Sequence, residues 1–252
     1  MSMLQLPWLD PTQPEQGFPP VERACREPNG LLAIGGDLSR PRLLRAYRHG
    51  IFPWYEEGQP ILWWCPAPRA VLIPNRFRLH RSLRKVLRNP GFEVSFDRAF
   101  ETVICACGAP EYGRWDTWIT DDMIAAYVAL HEAGDAHSVE VWDGSGQVVG
   151  GLYGIAIGRV FFGESMFSGA RDASKVALAY LTRHLDAWGF ALIDCQLPSA
   201  HLSSLGAETI PRQLFSRILE QCCDLPNHLP DRWQVDPALE VASWQPLGAR
   251  QT

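Results

Sequence analysis

Between Ala136 and Glu164 three β-type runs follow one another, SVEVW, VVGGLYGIAIG and RVFFGE, with DGSG at the joint of the first two. Asp-Gly between apolar runs signals a hairpin, because its central turn positions need residues that tolerate positive φ. A helical stretch comes next, with Asp172 placed to cap it and Gly189 to stop it after Trp188. The apolar FALIDCQ then reads as a further buried strand, and Pro211 opens a last helix that reaches Cys222. Strands followed by helix, strand and helix predict an α+β fold.

The upstream half reads differently. Ser39 suits an N-cap, Pro41 an early helical position and Gly50 the C′ position, which predicts a short helix with Leu43, Leu44 and Tyr47 on one face. From Pro53 to Pro74 proline and tryptophan surround two apolar runs, ILWWC and RAVLI, read as two short strands joined by turns. Residues 108–116 are loop-like. Thr120 or Asp121 then caps a helix that stops at Gly134, with Met123, Ile124, Tyr127 and Val128 on its apolar face. The expected division is an N-terminal domain over 1–112 and a C-terminal domain over 113–252.

Hydrophobic types make up 46% of the 252 residues, enough for one sizeable core or two small ones. No apolar run approaches the roughly 18–20 residues of a membrane span, and the N-terminus lacks the basic and apolar regions of a signal peptide. No membrane partner is expected, and a cytoplasmic location is. The seven cysteines include no C-x-x-C pair and are read mostly as small buried hydrophobes. The histidines show no H-E-x-x-H or comparable spacing, so no metal is expected.

A formal net charge of −5 argues against nucleic-acid binding only if charge is spread evenly, and it is not. Arg76, Arg78, Arg81, Arg84, Lys85 and Arg88 crowd one segment, and no acidic residue interrupts from Pro74 to Phe92. On a helix over 79–88, Arg81, Arg84, Lys85 and Arg88 share one face, while Leu79, Leu83, Val86 and Leu87 line the other. A solvated helix face would account for such a stripe. Its segregation within an acidic protein suits phosphate neutralisation.

Three further groups are candidates for chemistry. Asp194 and Gln196 stand at i and i+2 of the predicted strand and therefore on one face. Glu164 follows the apolar VFF. Leu178, Leu181 and Leu185 fall at i, i+3 and i+7 of the predicted helix and form one ridge, which is either plain core or a pocket wall. Ten tryptophans offer flat faces that stack on nucleobases. No Ser-His-Asp order or Gly-x-Ser-x-Gly elbow is present, which argues against a covalent acyl-enzyme.

Four ordered stretches resemble the leucyl/phenylalanyl-tRNA–protein transferase family. They are REPNGLLAIGGDLS (26–39); GIFPWY with ILWWCP (50–55, 61–66); GESMFS with ASK (163–168, 173–175); and IDCQ with SLGA and IPR (193–196, 204–207, 210–212). The resemblance implies a small N-terminal domain and a C-terminal domain like the acetyl-CoA-dependent N-acetyltransferases (GNAT-like). The glycine-rich pyrophosphate loop of those acetyltransferases is not evident, so acetyl-CoA is not the expected donor and no cofactor is expected.

The implied reaction moves leucine or phenylalanine from aminoacyl-tRNA to the N-terminal amine of proteins that begin with Arg or Lys, marking them for degradation. By resemblance, tRNA backbone contacts fall on the basic segment. Trp54 and Trp118 match the family's adenosine-contacting aromatics, with Tyr47 and Tyr127 as weaker candidates. The amino-acid pocket would be lined by Leu152, Met166, Leu178, Leu181, Leu185 and Ile193. Some relatives carry aromatics at the positions of Leu181 and Leu185, which leaves the Leu/Phe ratio open. A pocket that discriminates by roughly 1–3 kcal/mol per methylene should tolerate methionine as a third substrate.

At the carbonyl, Asp194 would orient Gln196, and Glu164 would pair with the acceptor's ammonium or its basic side chain. Two proton routes stay open: a relay through Asp194 and Gln196, or a shuttle by the tRNA's terminal ribose hydroxyl, with the second preferred because an amide relay needs an imidic tautomer. A small-molecule N-acyltransferase using acyl-CoA and a non-catalytic tRNA-binding module are the competing readings. A monomer is expected.

Overall fold

The computed structural model describes residues 6–88, 91–109, 117–226 and 232–247. Two sheets organise these residues. The smaller has strands β1 (Trp8–Leu9), β2 (Leu31–Gly35), β4 (Leu62–Trp64) and β3 (Phe52–Pro53), in that spatial order. The larger has seven strands in the order β11 (Glu208–Ile210), β5 (Arg69–Leu72), β10 (Leu192–Asp194), β9 (Val160–Ser168), β8 (Val148–Ile157), β7 (Ala136–Trp142) and β6 (Glu93–Phe96).

The three consecutive runs expected from the sequence form the β7–β8–β9 meander, antiparallel throughout. Helix α5 (Ala173–Ala187) then crosses over the sheet, so β10 returns parallel to β9. A parallel return requires such a crossover. Asp172 stands at the start of α5 as expected, but its side chain makes no capping bond; it holds Lys175 at 2.6 Å instead.

Successive residues of the large sheet point into different cores. Tyr153, Ile155, Phe162 and Leu192 join one cluster with helices α3 (Phe100–Gly108) and α4 (Asp121–Glu132). Leu152, Phe161 and Ile193 join the other, with Leu178, Leu181 and Leu185 of α5. The sheet is therefore buried on both faces, which explains strand runs that are apolar almost without interruption.

ILWWC and RAVLI form the expected strands β4 and β5, but in different sheets. Sheet membership changes between Trp64 and Arg69, and both β5 and β6 belong to the larger sheet. The expected boundary at 112/113 and most of the expected loop at 108–116 lie outside the described residues. Helix α1 (Arg40–Arg48) starts after Ser39, whose side chain makes no capping bond. Gly50 follows α1 at φ +72°, and a Cβ there would lie 2.6 Å from the ring of Phe215. Glycine thus closes α1 and admits Phe215 of helix α7 (Arg212–Cys222) to the junction of the two sheets.

Candidate active site

Register brings the polar residues together. β10 pairs Asp194 with Phe162 of β9, and just beyond that last pair Gln196 meets Glu164. Gln196 Nε2 lies 3.3 Å from Glu164 Oε1. The strand itself ends at Asp194, and Gln196 has φ +52°. Simple strand alternation, from which Asp194 and Gln196 were expected to share a face, therefore does not extend to Gln196. Its backbone is fixed instead by two bonds: its N–H donates to Asp194 Oδ1 at 3.0 Å, and its carbonyl accepts from the Ala70 N–H at 3.2 Å.

Asp194 is wholly buried and is gripped by Arg69, itself wholly buried on β5. Arg69 Nε donates to Oδ1 at 2.7 Å and Nη2 to Oδ2 at 2.6 Å. The guanidinium carbon lies 5.0 Å from the ring centre of Phe52 and 4.7 Å from that of Phe215. Arg69 thus joins the large sheet, the small sheet and α7 at one point. A charge at the head of the apolar run RAVLI was the available signal for it, and read as one strand among others it carried no role.

Glu164 sits half-buried on β9. Tyr127 Oη donates to its Oε2 at 3.0 Å, and the hydroxyl of Tyr47 meets that of Tyr127. Burial raises the Glu164 carboxyl to about 7; the tyrosines and Arg69 oppose that rise, and Asp194 adds to it. Tyr47 and Tyr127 are wholly buried, and burial holds both phenols well above their ordinary range. With no ring face open to a ligand they cannot stack on adenine. The expectation that they contact adenosine is corrected accordingly: they support Glu164 from beneath.

Two cavities meet at this carboxylate. One, of about 360 Å³, is walled by Leu152, Met166, Leu178, Leu181, Ile193 and Leu202, with Glu164, Asp194 and Gln196 at its polar end. Its size falls within the ~300–1,000 Å³ typical of ligand pockets. The other, of about 200 Å³, lies between Phe52, Pro53, Trp54 and Leu197. Trp118, Glu164, Cys195 and Gln196 line both.

Five of the six expected pocket residues therefore surround one cavity. Leu185 does not, because it lies a turn further along α5 and is buried in the core. Leu152 and Met166 are directly paired across β8 and β9, which places both on the same wall. Trp54 is 41% exposed, with its backbone carbonyl held by Trp64 Nε1 at 2.7 Å. Cys195 lines both cavities, but burial pushes its thiol far up, away from the reactive thiolate.

The basic segment borders the first cavity through helix α6 (Ala200–Ser204), which carries Leu202. The Arg78 N–H donates to Leu205 O at 2.8 Å, and His80 Nε2 donates to Ser204 O at 2.7 Å. Helix α2 (Arg81–Leu87) is shorter than the expected 79–88. Arg78, Arg81, Lys85 and Arg88 are exposed along this edge. Arg76 pairs with Glu208 at 3.4 Å. Arg84 departs from the expected outward row, since it is half-buried and donates to Leu79 O at 3.2 Å and Ala242 O at 2.9 Å.

Among the described residues no group of three or more His, Cys, Asp or Glu side chains could hold a metal ion, and no helix is long and apolar enough to cross a membrane.

Residues 36–67 match the family model described as the leucyl/phenylalanyl-tRNA protein transferase N-terminal domain, and residues 71–220 match that of the leucyl/phenylalanyl-tRNA protein transferase. The two matches divide where the chain passes from one sheet to the other. A leucyl/phenylalanyl-tRNA–protein transferase of Azotobacter vinelandii is 61% identical over 210 residues, 83% of this chain and 92% of its own. Proteins of the same description from Thiobacillus denitrificans and Pseudomonas syringae pv. syringae are 60% and 58% identical, over 87% and 88% of this chain and 95% and 96% of theirs. A solved structure, that of L-PGS from Bacillus licheniformis, superposes with a TM-score of 0.38 at 12% identity over 67% of this chain and 54% of its own, too slight a likeness to carry an argument. The chain belongs to the leucyl/phenylalanyl-tRNA–protein transferase family and is an aminoacyltransferase.

Proposed function

We propose that the protein transfers leucine or phenylalanine, and methionine less well, from aminoacyl-tRNA to the N-terminal α-amine of proteins that begin with Arg or Lys, marking them for degradation through an N-degron pathway. The observation that carries this reading is the junction of an apolar cavity with a second, aromatic-walled cavity at Glu164 and Gln196. An aminoacyl-adenosine needs both: the apolar cavity takes the amino-acid side chain, and Trp54 and Trp118 offer ring faces to the adenine. Stacking of that kind is worth roughly 1–3 kcal/mol per base. The ester carbonyl then lies at the polar junction, where an incoming ammonium meets Glu164.

Arg78, Arg81, Lys85 and Arg88, with Arg76 beside them, form the edge along which the tRNA backbone runs. Arg84 contributes by securing α2. The parallel β9–β10 pair crossed by α5 supports the GNAT-like reading of the domain around the large sheet, and the protein acts as a cytoplasmic monomer without a cofactor. The test is transfer of labelled phenylalanine from Phe-tRNA to a peptide beginning with arginine. Transfer is expected to vanish after RNase treatment; transfer that survives it rejects the reading.

A further inference from the structure

We propose that Glu164 is the group that takes the proton from the attacking amine, while Asp194 serves only as a fixed anion that positions Gln196. The inference deepens the reading above and rests on it.

Geometry separates the two carboxylates. Both oxygens of Asp194 are occupied by Arg69, one of them also by the Gln196 N–H, and the side chain is wholly buried. Its oxygens are committed to a bidentate ion pair in a water-poor site, so a group taking a proton from the amine would have to displace the guanidinium there. Glu164 has no such cation on its oxygens. It receives bonds from Tyr127 and Tyr47 and a long one from Gln196, and it lines both cavities. A carboxylate accepts about four hydrogen bonds, so room remains for the nitrogen of an acceptor. Its displacement to about 7 matches the task, since a base works best when it titrates near the operating pH.

The step balances without a co-reactant. The acceptor amine, of which roughly a tenth or more is neutral near pH 7, attacks the ester carbonyl carbon and becomes cationic. It gives one proton to Glu164. The bond from carbon to the ribose oxygen breaks, the oxygen keeps the electron pair, and it takes the proton back from Glu164. The carboxylate is restored, with an amide and a free ribose hydroxyl as products. Neither an imidic tautomer of Gln196 nor protonation of Asp194 is required.

The competing role for Glu164 is recognition of a basic first residue. Glu164→Gln and Asp194→Asn are assayed with Phe-tRNA and a peptide beginning with arginine, with kcat and the KM for the peptide measured separately. The isosteric Glu164→Gln is expected to lower kcat by about 10²–10⁴-fold with KM for the peptide and for Phe-tRNA nearly unchanged. Its kcat/KM should no longer carry the enzyme's own inflection near pH 7 and should follow only the acceptor amine. Asp194→Asn should keep that inflection at reduced kcat, or, where it fails to fold, Arg69→Lys should do so. A raised KM for the peptide with kcat preserved, or a Glu164→Gln enzyme with kcat within tenfold of wild type, overturns the proposal. Absence of RNase-sensitive transfer by the wild-type protein would instead defeat the function on which it rests.

Discussion

Arg69 and Asp194 form a bidentate ion pair at 2.7 and 2.6 Å with neither side chain open to solvent. Their strands are antiparallel neighbours: Asp194 lies opposite Val71, two residues from Arg69. The pair is thus a diagonal cross-strand contact, set by the sheet and closed by the rings of Phe52 and Phe215. Breaking one side strands the other charge away from water, which costs about 3–5 kcal/mol. Arg69→Met and Asp194→Asn should each show a loss of that order or somewhat less in urea unfolding. Combining them should cost less than the sum of the two, because neither charge is then left alone. An additive double variant would mean that the pair is not coupled.

Glu164 gives the opposite sign. Its folded-state carboxyl is raised from 4.5 to about 7. Below pH 4.5 it is protonated in both states and costs nothing. Between pH 4.5 and 7 the folded state holds a proton that the unfolded chain has released, so stability falls as pH rises, and above 7 the full penalty remains. The displacement corresponds, at ~1.4 kcal/mol per unit, to about 3 kcal/mol. Since the side chain opens onto two cavities, solvent screening reduces the expected penalty to about 1–2 kcal/mol. Glu164→Gln should therefore be more stable than wild type at pH 8 and nearly equal to it at pH 4.5. Equal thermal midpoints at both pH values would count against a raised carboxyl.

The meander, the crossover helix and the apolar ridge were legible because each leaves a periodic trace in the chain. Strands β7 to β9 show it as near-continuous apolar runs, and α5 shows it in the spacing of Leu178, Leu181 and Leu185. What spacing does not carry is which of three equivalent leucines faces a void. Leu178 and Leu181 line the cavity and Leu185 does not, because that choice depends on what each meets across the fold. Tyr47 and Tyr127 show a related limit. Their 80-residue separation gives no hint that their hydroxyls meet beneath Glu164. Strands β1 and β3 are two residues each and leave no period to read, whereas α3 does carry one, with Phe100, Val103, Ile104 and Cys107 buried at i, i+3, i+4 and i+7. Arg69 was hidden in another way, since a single cation at the head of a strand names no partner 125 residues away.

The basic segment should divide by function. Arg81→Ala and Lys85→Ala remove exposed charges, so each should weaken tRNA binding and flatten the plot of log affinity against log salt by about one unit of slope. Arg84→Ala should leave that slope nearly unchanged and lower the thermal midpoint, since this guanidinium ties α2 to Ala242. Filter binding of aminoacyl-tRNA across a salt series reads the first effect and calorimetry the second. Equal slope changes in all three would place Arg84 on the phosphates as well.

Leu178 and Leu185 provide the sharpest contrast on α5, because they share a face but not an environment. A phenylalanine at 178 would project into the cavity of about 360 Å³. It should exclude a phenylalanyl group before the narrower leucyl or methionyl chains, raising the Leu-to-Phe ratio of kcat/KM by about tenfold or more, the scale of roughly 1–3 kcal/mol that such pockets reach. Because the void receives the ring, folding stability should change little. A phenylalanine at 185 meets packed core instead. It should cost about 1–3 kcal/mol of stability through overpacking and leave the ratio alone. Competition between Leu-tRNA and Phe-tRNA, with the thermal midpoint of each variant, separates the two positions. If Leu185→Phe shifts the ratio and Leu178→Phe does not, the amino-acid side chain is bound somewhere other than this cavity.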